Sequence, residues 1–126
     1  MEILPLASHN YLEVSALLDI CFGPDRAGRT ASMLRLGAPR LECASFVAHH
    51  DGKLLGSVEC HALLWQHENG SSRPIILLGP LASNPAYRGR NIGQSLMAHA
   101  LDAADNIGLD VMLIGDTSYY GRWGFA

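Results

Sequence analysis

Arg88-Gly89-Arg90-Asn91-Ile92-Gly93 is the stretch whose residue types speak most directly of chemistry. It enters a segment of helical apolar spacing. The first N–H groups of a helix lack intrahelical partners, and the macrodipole places partial positive charge there. Glycines at 89 and 93 let the backbone turn tightly and approach a ligand, and Arg88 and Arg90 add fixed charge. Together these suit a phosphate or pyrophosphate. A loop whose glycines serve only the turn, and whose arginines serve only solvation, has the same residue types. No Gly-Lys-Ser/Thr follows, and the three-glycine dinucleotide spacing is absent. A second group of chemical side chains lies upstream. Glu59 and His61 alternate on one face of an extended segment, where either could take a proton directly or through water. A satisfied or exposed polar face would carry the same residues. His67 and Asp116 are weaker candidates for that role.

The elements that must position these residues follow from periodicity. Ile75–Leu78 is a continuous apolar run that suits a strand buried on both faces. Gly79-Pro80 interrupts it and predicts a departure from a neighbouring strand, and Asn84-Pro85 closes it. Ile92, Leu96, Ala100 and Ala104, joined by Gly93, Met97 and Leu101, form one face of a helix ended by Gly108. His99 reads as a surface residue. Upstream, Glu2–Leu6 reads as an edge or first strand, and Ser8 as the cap of a helix bearing Tyr11, Val14, Leu18, Cys21 and Phe22 on one face. Gly23-Pro24 stops that helix, and Thr30 to Leu36 reads as a short second one ended by Gly37. Cys43–His49 is expected as a strand, His50-Asp51-Gly52-Lys53 as a tight hairpin, and Leu54–His67 as a long strand. Its even positions (Leu54, Val58, Cys60, Ala62, Leu64) are apolar, and its odd positions (Ser57, Glu59, His61, Trp65, His67) more polar. Glu68 to Ser72 forms a second hairpin loop. Asp110–Ile114 reads as a buried parallel strand, and Ser118–Trp123 as a short helix. The order β-α-α-β-β-β-α-β-α implies an α/β fold with a mixed, mostly antiparallel central sheet and helices on both faces.

The whole chain sets bounds on function. Its 126 residues make one domain, 1–126, with 48% hydrophobic and 17% charged residues, an ordinary globular balance. The net charge of −3 argues against general binding of nucleic acid or an anionic membrane. The three cysteines, Cys21, Cys43 and Cys60, have no metal-type spacing, so reduced residues in a cytoplasmic protein without a metal site are expected. No apolar run approaches the ~18 residues of a membrane span.

The segment from Ile75 to Phe125 resembles the GNAT N-acetyltransferase superfamily, closest to a branch of small bacterial members. The likeness rests on the acetyl-CoA signature Arg/Gln-x-x-Gly-x-Gly/Ala, here Arg88 to Gly93 with Asn91 at a usual Gly. It continues in Leu78-Gly79-Pro80-Leu81, Gly115-Asp116 and Tyr119-Tyr120-Gly121-Arg122-Trp123-Gly124-Phe125. Asn enters the left-handed region readily, so the loop keeps its shape. The resemblance implies acetyl-CoA (CoA) as cofactor, its pyrophosphate held by Arg88, Gly89, Arg90, Asn91, Ile92 and Gly93. It implies that the strand around Leu81 and Ala82 pairs with the pantetheine arm, with the Leu81 N–H polarising the thioester carbonyl. Tyr120 would be the acid for the leaving thiolate, and packing is the competing role of that phenol; Glu59 would be the base. The acceptor would be a small amine or a peptide N-terminus, attacked without an acyl-enzyme. Arg26, Arg29 and Arg35, near the expected helix pair, would recognise an acidic acceptor or form a solvated face. The resemblance implies two further strands that are missing here, where the sequence stops at Ala126; either the chain is truncated or a partner supplies the edge, and homodimer pairing there is expected. A non-catalytic CoA-binding module is the alternative function.

Overall fold

The computed structural model describes residues 1–28, 37–87 and 90–113. A five-stranded sheet in sequential order forms its centre. The strands are β1 (Glu2–Pro5), β2 (Phe46–His50), β3 (Lys53–Gln66), β4 (Ser72–Ser83) and β5 (Val111–Met112). The first three pairings are antiparallel, and β4 with β5 is parallel. Helix α1 (Tyr11–Phe22) covers one face and α2 (Ile92–Ile107) the other. Successive strand residues point to opposite faces, and β2 shows the division. Val47 joins the core with Leu6, Val14, Leu17, Leu18 and Ala82. Its neighbour Ala48 joins Val58, Cys60, Ile76, Leu78, Ile92, Leu96, Met97 and Ala100. This is the mixed, mostly antiparallel sheet with helices on both faces that the pattern predicts.

Local chemistry accounts for the boundaries. Asn10, not Ser8, caps α1: its side-chain oxygen accepts from the Leu12 N–H at 3.0 Å. Ser8 is diverted into a 3₁₀ turn, where its hydroxyl donates to the Pro5 carbonyl at 2.7 Å. Strand β2 begins at Phe46 rather than Cys43, because Glu42–Ala44 is a 3₁₀ turn. Ser45 fixes that entry by donating to the Leu41 carbonyl and accepting from the Cys60 N–H. The β2–β3 hairpin turns through Asp51 and Gly52, both at positive φ, as its Asp-Gly pair predicts. Gly108 ends α2 in the left-handed conformation. His99 is exposed; its Nδ1 meets the Ser95 carbonyl at 2.8 Å, and its ring meets Phe46 edge-on. Of the expected strand Asp110–Ile114, the described part forms β5 only at Val111–Met112, half-buried, and Ile114 lies outside the described residues. The expected second helix (30–36) and final helix (118–123) lie outside the described residues.

The alternation expected along β3 holds only in its middle. Register slips between Ala48 and His49, so Leu54 reaches the α1 side and Leu55 the α2 side. Towards the hairpin tip the strand runs beyond the helices, and Leu64 is 68% exposed. The odd positions are not a solvent face where α1 covers them. Ser57, Glu59 and His61 are all buried. Among the described residues no helix is long and apolar enough to cross a membrane.

Gly56 sets how closely α2 approaches the sheet. A Cβ there would lie 2.7 Å from the Ala82 carbonyl oxygen, 2.7 Å from Ile92 Cγ2 and 2.9 Å from Leu96 Cδ1. The Ala82 oxygen is backbone and cannot swing aside as a side chain can, so the packing of β3 against β4 and α2 must shift. Overpacking of this kind costs about 1–3 kcal/mol, so Gly56→Ala is expected to lose that much unfolding free energy, read as a lower urea midpoint at unchanged m-value.

Candidate functional site

The site is organised by one extra residue in β4. Val58 pairs with Leu81 and Cys60 with Leu78, so two steps on β3 oppose three on β4. The surplus lies at Gly79-Pro80, directly across from Glu59. In an antiparallel ladder, alternate residues turn their N–H towards the same neighbour. Before the bulge, Ile76 donates towards β5, to the Asp110 carbonyl at 2.9 Å. After it, Asn84 donates towards β3, to the Leu55 carbonyl at 2.8 Å. Counting back in twos, Ala82 also faces β3, opposite Ser57, while Leu81 and Ser83 face away from it. The Ser83 carbonyl on that outer side accepts from Cys21 Sγ at 3.4 Å. Described pairing with β5 ends at Leu77↔Met112. The Leu81 N–H therefore points to an edge of β4 that no described strand occupies. Of the two predicted strand residues, Leu81 has the outward amide. Ala82 has its amide in the β3 ladder and its side chain in the α1-side core.

The basic loop sits at the start of α2. Asn84 closes β4 with its side-chain oxygen on the Ala86 N–H, 3.0 Å, and its carbonyl on Tyr87 N–H, 3.0 Å. The guanidinium of Arg90 lies 5.4 Å from the centre of the Tyr87 ring. Asn91 is left-handed at φ 54°, ψ 33°, and its side chain makes no cap bond. The first intrahelical bond runs from Ser95 N–H to the Asn91 carbonyl, 3.0 Å. The N–H groups of Ile92, Gly93 and Gln94 are thus the donors at the helix start, and the Ile92 side chain is anchored in the core. Arg88 and Gly89 lie outside the described residues. These donors fit an anion, and the outward Leu81 amide fits an extended amide-bearing arm laid beside β4.

A polar cluster faces α1 on the other side of the bulge. Glu59 is 3% exposed and His61 8%. The Tyr11 hydroxyl, at the first turn of α1, donates to Glu59 Oε2 at 3.0 Å. His61 Nε2 lies 3.8 Å from Glu59 Oε1. Arg40 bridges His61 through its backbone, and its guanidinium lies 5.1 Å over the Tyr11 ring. Burial, then the charge and hydrogen bond of Glu59, push the Tyr11 phenol up to about 12, so it stays a donor. Cys60, on the opposite face, is also pushed up to about 12, by burial first and then by Cys43 and Glu59. A thiol held so fully protonated is a poor nucleophile. Arg26 is committed to Asp19 at 3.0 Å and Ser15 at 2.9 Å.

The structure thus brings Glu59 opposite the bulge that turns out the Leu81 amide. Tyr11 and Arg40 are additions to the predicted set. Tyr11 falls among the apolar positions of α1 by spacing, and nothing local in the sequence pairs it with a residue 48 positions away. Tyr120, with Tyr119, Trp123, Asp116, Arg29 and Arg35, lies outside the described residues.

Comparison with known proteins bears on this arrangement. The model of the acetyltransferase (GNAT) family matches residues 13–125. The YhbS acetyltransferase of Escherichia coli, solved in complex with CoA, is 28% identical. That match has a TM-score of 0.71 and covers 91% of this chain and 62% of that one. A GNAT acetyltransferase of Brucella melitensis, solved with acetyl-CoA, is 27% identical with a TM-score of 0.68, covering 99% and 82%. An acetyltransferase of Trypanosoma brucei shares the fold at 20% identity and a TM-score of 0.69, covering 99% and 92%. No curated protein sequence matches the chain.

The left-handed residue before α2 has a direct test. A β-branched side chain is strained there, at about 1–2 kcal/mol, whereas glycine is not. Asn91→Val is expected to lose that much stability in chemical denaturation, and Asn91→Gly to match or exceed the parent.

Proposed function

The chain belongs to the GNAT acetyltransferase family, and from that premise we propose that it transfers an acetyl group directly to a small amine or a peptide N-terminus. Acetyl-CoA is the acyl donor of the family, and it supplies the acetyl group already activated as a thioester. The N–H groups of Ile92, Gly93 and Gln94, with Arg90, are assigned to the pyrophosphate. Arg88, Gly89 and Asn91 complete that loop by sequence. The Leu81 N–H is assigned to the thioester carbonyl, where a fixed donor stabilises developing negative charge. Ala82 supports that strand from beneath. Glu59 is assigned as the base that takes the proton from the acceptor ammonium, because an amine attacks only when unprotonated. Tyr120 is assigned as the acid for the leaving thiolate on its place in the aromatic motif; a phenol of ordinary pKa near ~10 is protonated at neutral pH.

The observation that carries this reading is the register slip at Gly79-Pro80, which sets the outward Leu81 amide and the buried Glu59 on the two sides of one bulge. Direct transfer is supported by the buried, protonated Cys60. A reducing cytoplasmic location is part of the same reading, supported by three unpaired thiols, and so is a single domain over 1–126.

Two measurements test it. In a thermal-shift titration with acetyl-CoA, CoA and ATP, the first two are expected to raise the melting temperature and ATP is not; a ligand at ~100 times its Kd adds about 2.7 kcal/mol. Thiol release is then followed with spermidine and with a tripeptide bearing a free N-terminus. Glu59→Gln is expected to lower kcat roughly 10²-fold or more with CoA binding unchanged. Full turnover by Glu59→Gln overturns the base assignment. CoA binding without turnover of any amine would favour a binding module.

A further inference from the structure

We propose that Tyr11 is a positioning residue that keeps the buried Glu59 carboxylate ionised and aimed, with Arg40 strengthening its hold. The inference rests on the reading of Glu59 as the base. A carboxylate at 3% exposure has lost its water, and burial alone favours the protonated acid, which cannot accept a proton. A hydrogen bond donated to the ionised form offsets that penalty. The Tyr11 hydroxyl supplies one at 3.0 Å to Oε2. That bond fixes one oxygen and thereby the plane of the carboxylate.

Among the described residues, the groups around Glu59 come from three elements. Tyr11 reaches in from α1. His61, with Nε2 3.8 Å from Oε1, and Cys60 flank Glu59 on β3. Arg40 comes from the segment beside β3, and both Arg40 and Arg26 bear electrostatically on the Tyr11 phenol. A cation over the face of a phenol withdraws electron density from the ring and makes its O–H a better donor. The position of Arg40 is set by backbone bonds, Leu41 N–H to the Cys60 carbonyl at 2.8 Å and Ala62 N–H to the Pro39 carbonyl at 3.0 Å. Its charge is turned outward to Glu42, with Nε 2.7 Å from Oε1. The arginine can thus polarise Tyr11 while its own ion pair lies elsewhere. Tyr11 itself is 40% exposed, so the phenol spans from solvent to the buried acid.

The experiment reads Glu59 directly. The protein is labelled with carbon-13 at the glutamate side-chain carboxyl, the Glu59 signal is assigned by its absence in Glu59→Gln, and the signal is titrated across the acid and neutral range. In Tyr11→Phe the Glu59 midpoint is expected to rise by about one pH unit, a roughly tenfold gain in proton affinity. In Arg40→Met it is expected to rise by less. The acidic limb of kcat/KM for spermidine or the tripeptide is expected to move with it, and turnover to recover at higher pH. A merely structural role would lower turnover at every pH and leave the limb in place. A Glu59 midpoint that is unmoved or lowered in Tyr11→Phe overturns the proposal, and Arg40→Met repeats the test should Tyr11→Phe fold poorly. An unmoved midpoint alongside an inactive Glu59→Gln removes Tyr11 and leaves the base in place. A raised midpoint alongside a fully active Glu59→Gln upholds the coupling and removes the base.

Discussion

The arrangement of the site depends on a mismatch of one residue between two paired strands. With strict pairing, the even residues of β4 would donate towards β5 along the whole strand, since Ile76 does so. Leu81 would then face β3, and its N–H would be consumed in the ladder. The surplus at Gly79-Pro80 reverses the parity, and Asn84 accordingly donates to β3. Pairing with β3 resumes after the bulge, yet the Leu81 amide is turned out beyond the last described pairing with β5. Proline suits this place because it has no N–H to leave unsatisfied where the ladder breaks.

A second constraint links the bulge in β4 to the start of α2. The loop that starts α2 must lie near the outward amide if one extended ligand is to reach both. Gly56 permits that closeness: on β3 it stands next to the paired Ser57 and Ala82, and Ile92 and Leu96 press against it from above. Ile92 therefore has two tasks. Its side chain is driven into the core by the apolar contacts that stabilise α2, and its N–H is left at the helix start with no intrahelical acceptor. Packing that holds the helix also aims the donors at its start, so their geometry and the stability of the helix share the same atoms.

What was legible in the sequence follows the range of the interactions. Local signals are legible from the residues alone. Asp51-Gly52 turns the hairpin, Gly108 caps α2, Asn91 enters the left-handed region, and Ile92 to Ala104 face the core at helical spacing. The break at Gly79-Pro80 was legible as a break, but which amide it turned outward required the register with β3. The helix cap was misplaced by two residues because Ser8 and Asn10 are both good caps, and the choice between them lies in how the chain leaves β1. The burial of Glu59 was not legible at all. An alternating strand with polar odd positions reads as half-solvated, and the burial comes from tertiary packing, in which Tyr11 of α1 reaches Glu59. Tyr11 and Arg40 reach Glu59 and His61 from far along the chain, and no spacing rule connects them.

The charge arrangement on the α1 side explains why a single buried carboxylate can dominate there. Arg26 and Arg40 bring positive charge to the rim, and each is answered by a nearby acid, Asp19 and Glu42 respectively. Such half-exposed pairs contribute little to stability, but they neutralise the rim at short range. They also leave Arg26 poorly placed to recognise an acidic acceptor, since its guanidinium already holds Asp19 and Ser15. Glu59 differs from these acids by its depth. At 3% exposure its charge is screened far less than theirs, and it is felt more strongly by any cation that approaches. The described part of this face is therefore better matched to a cation than to an anion.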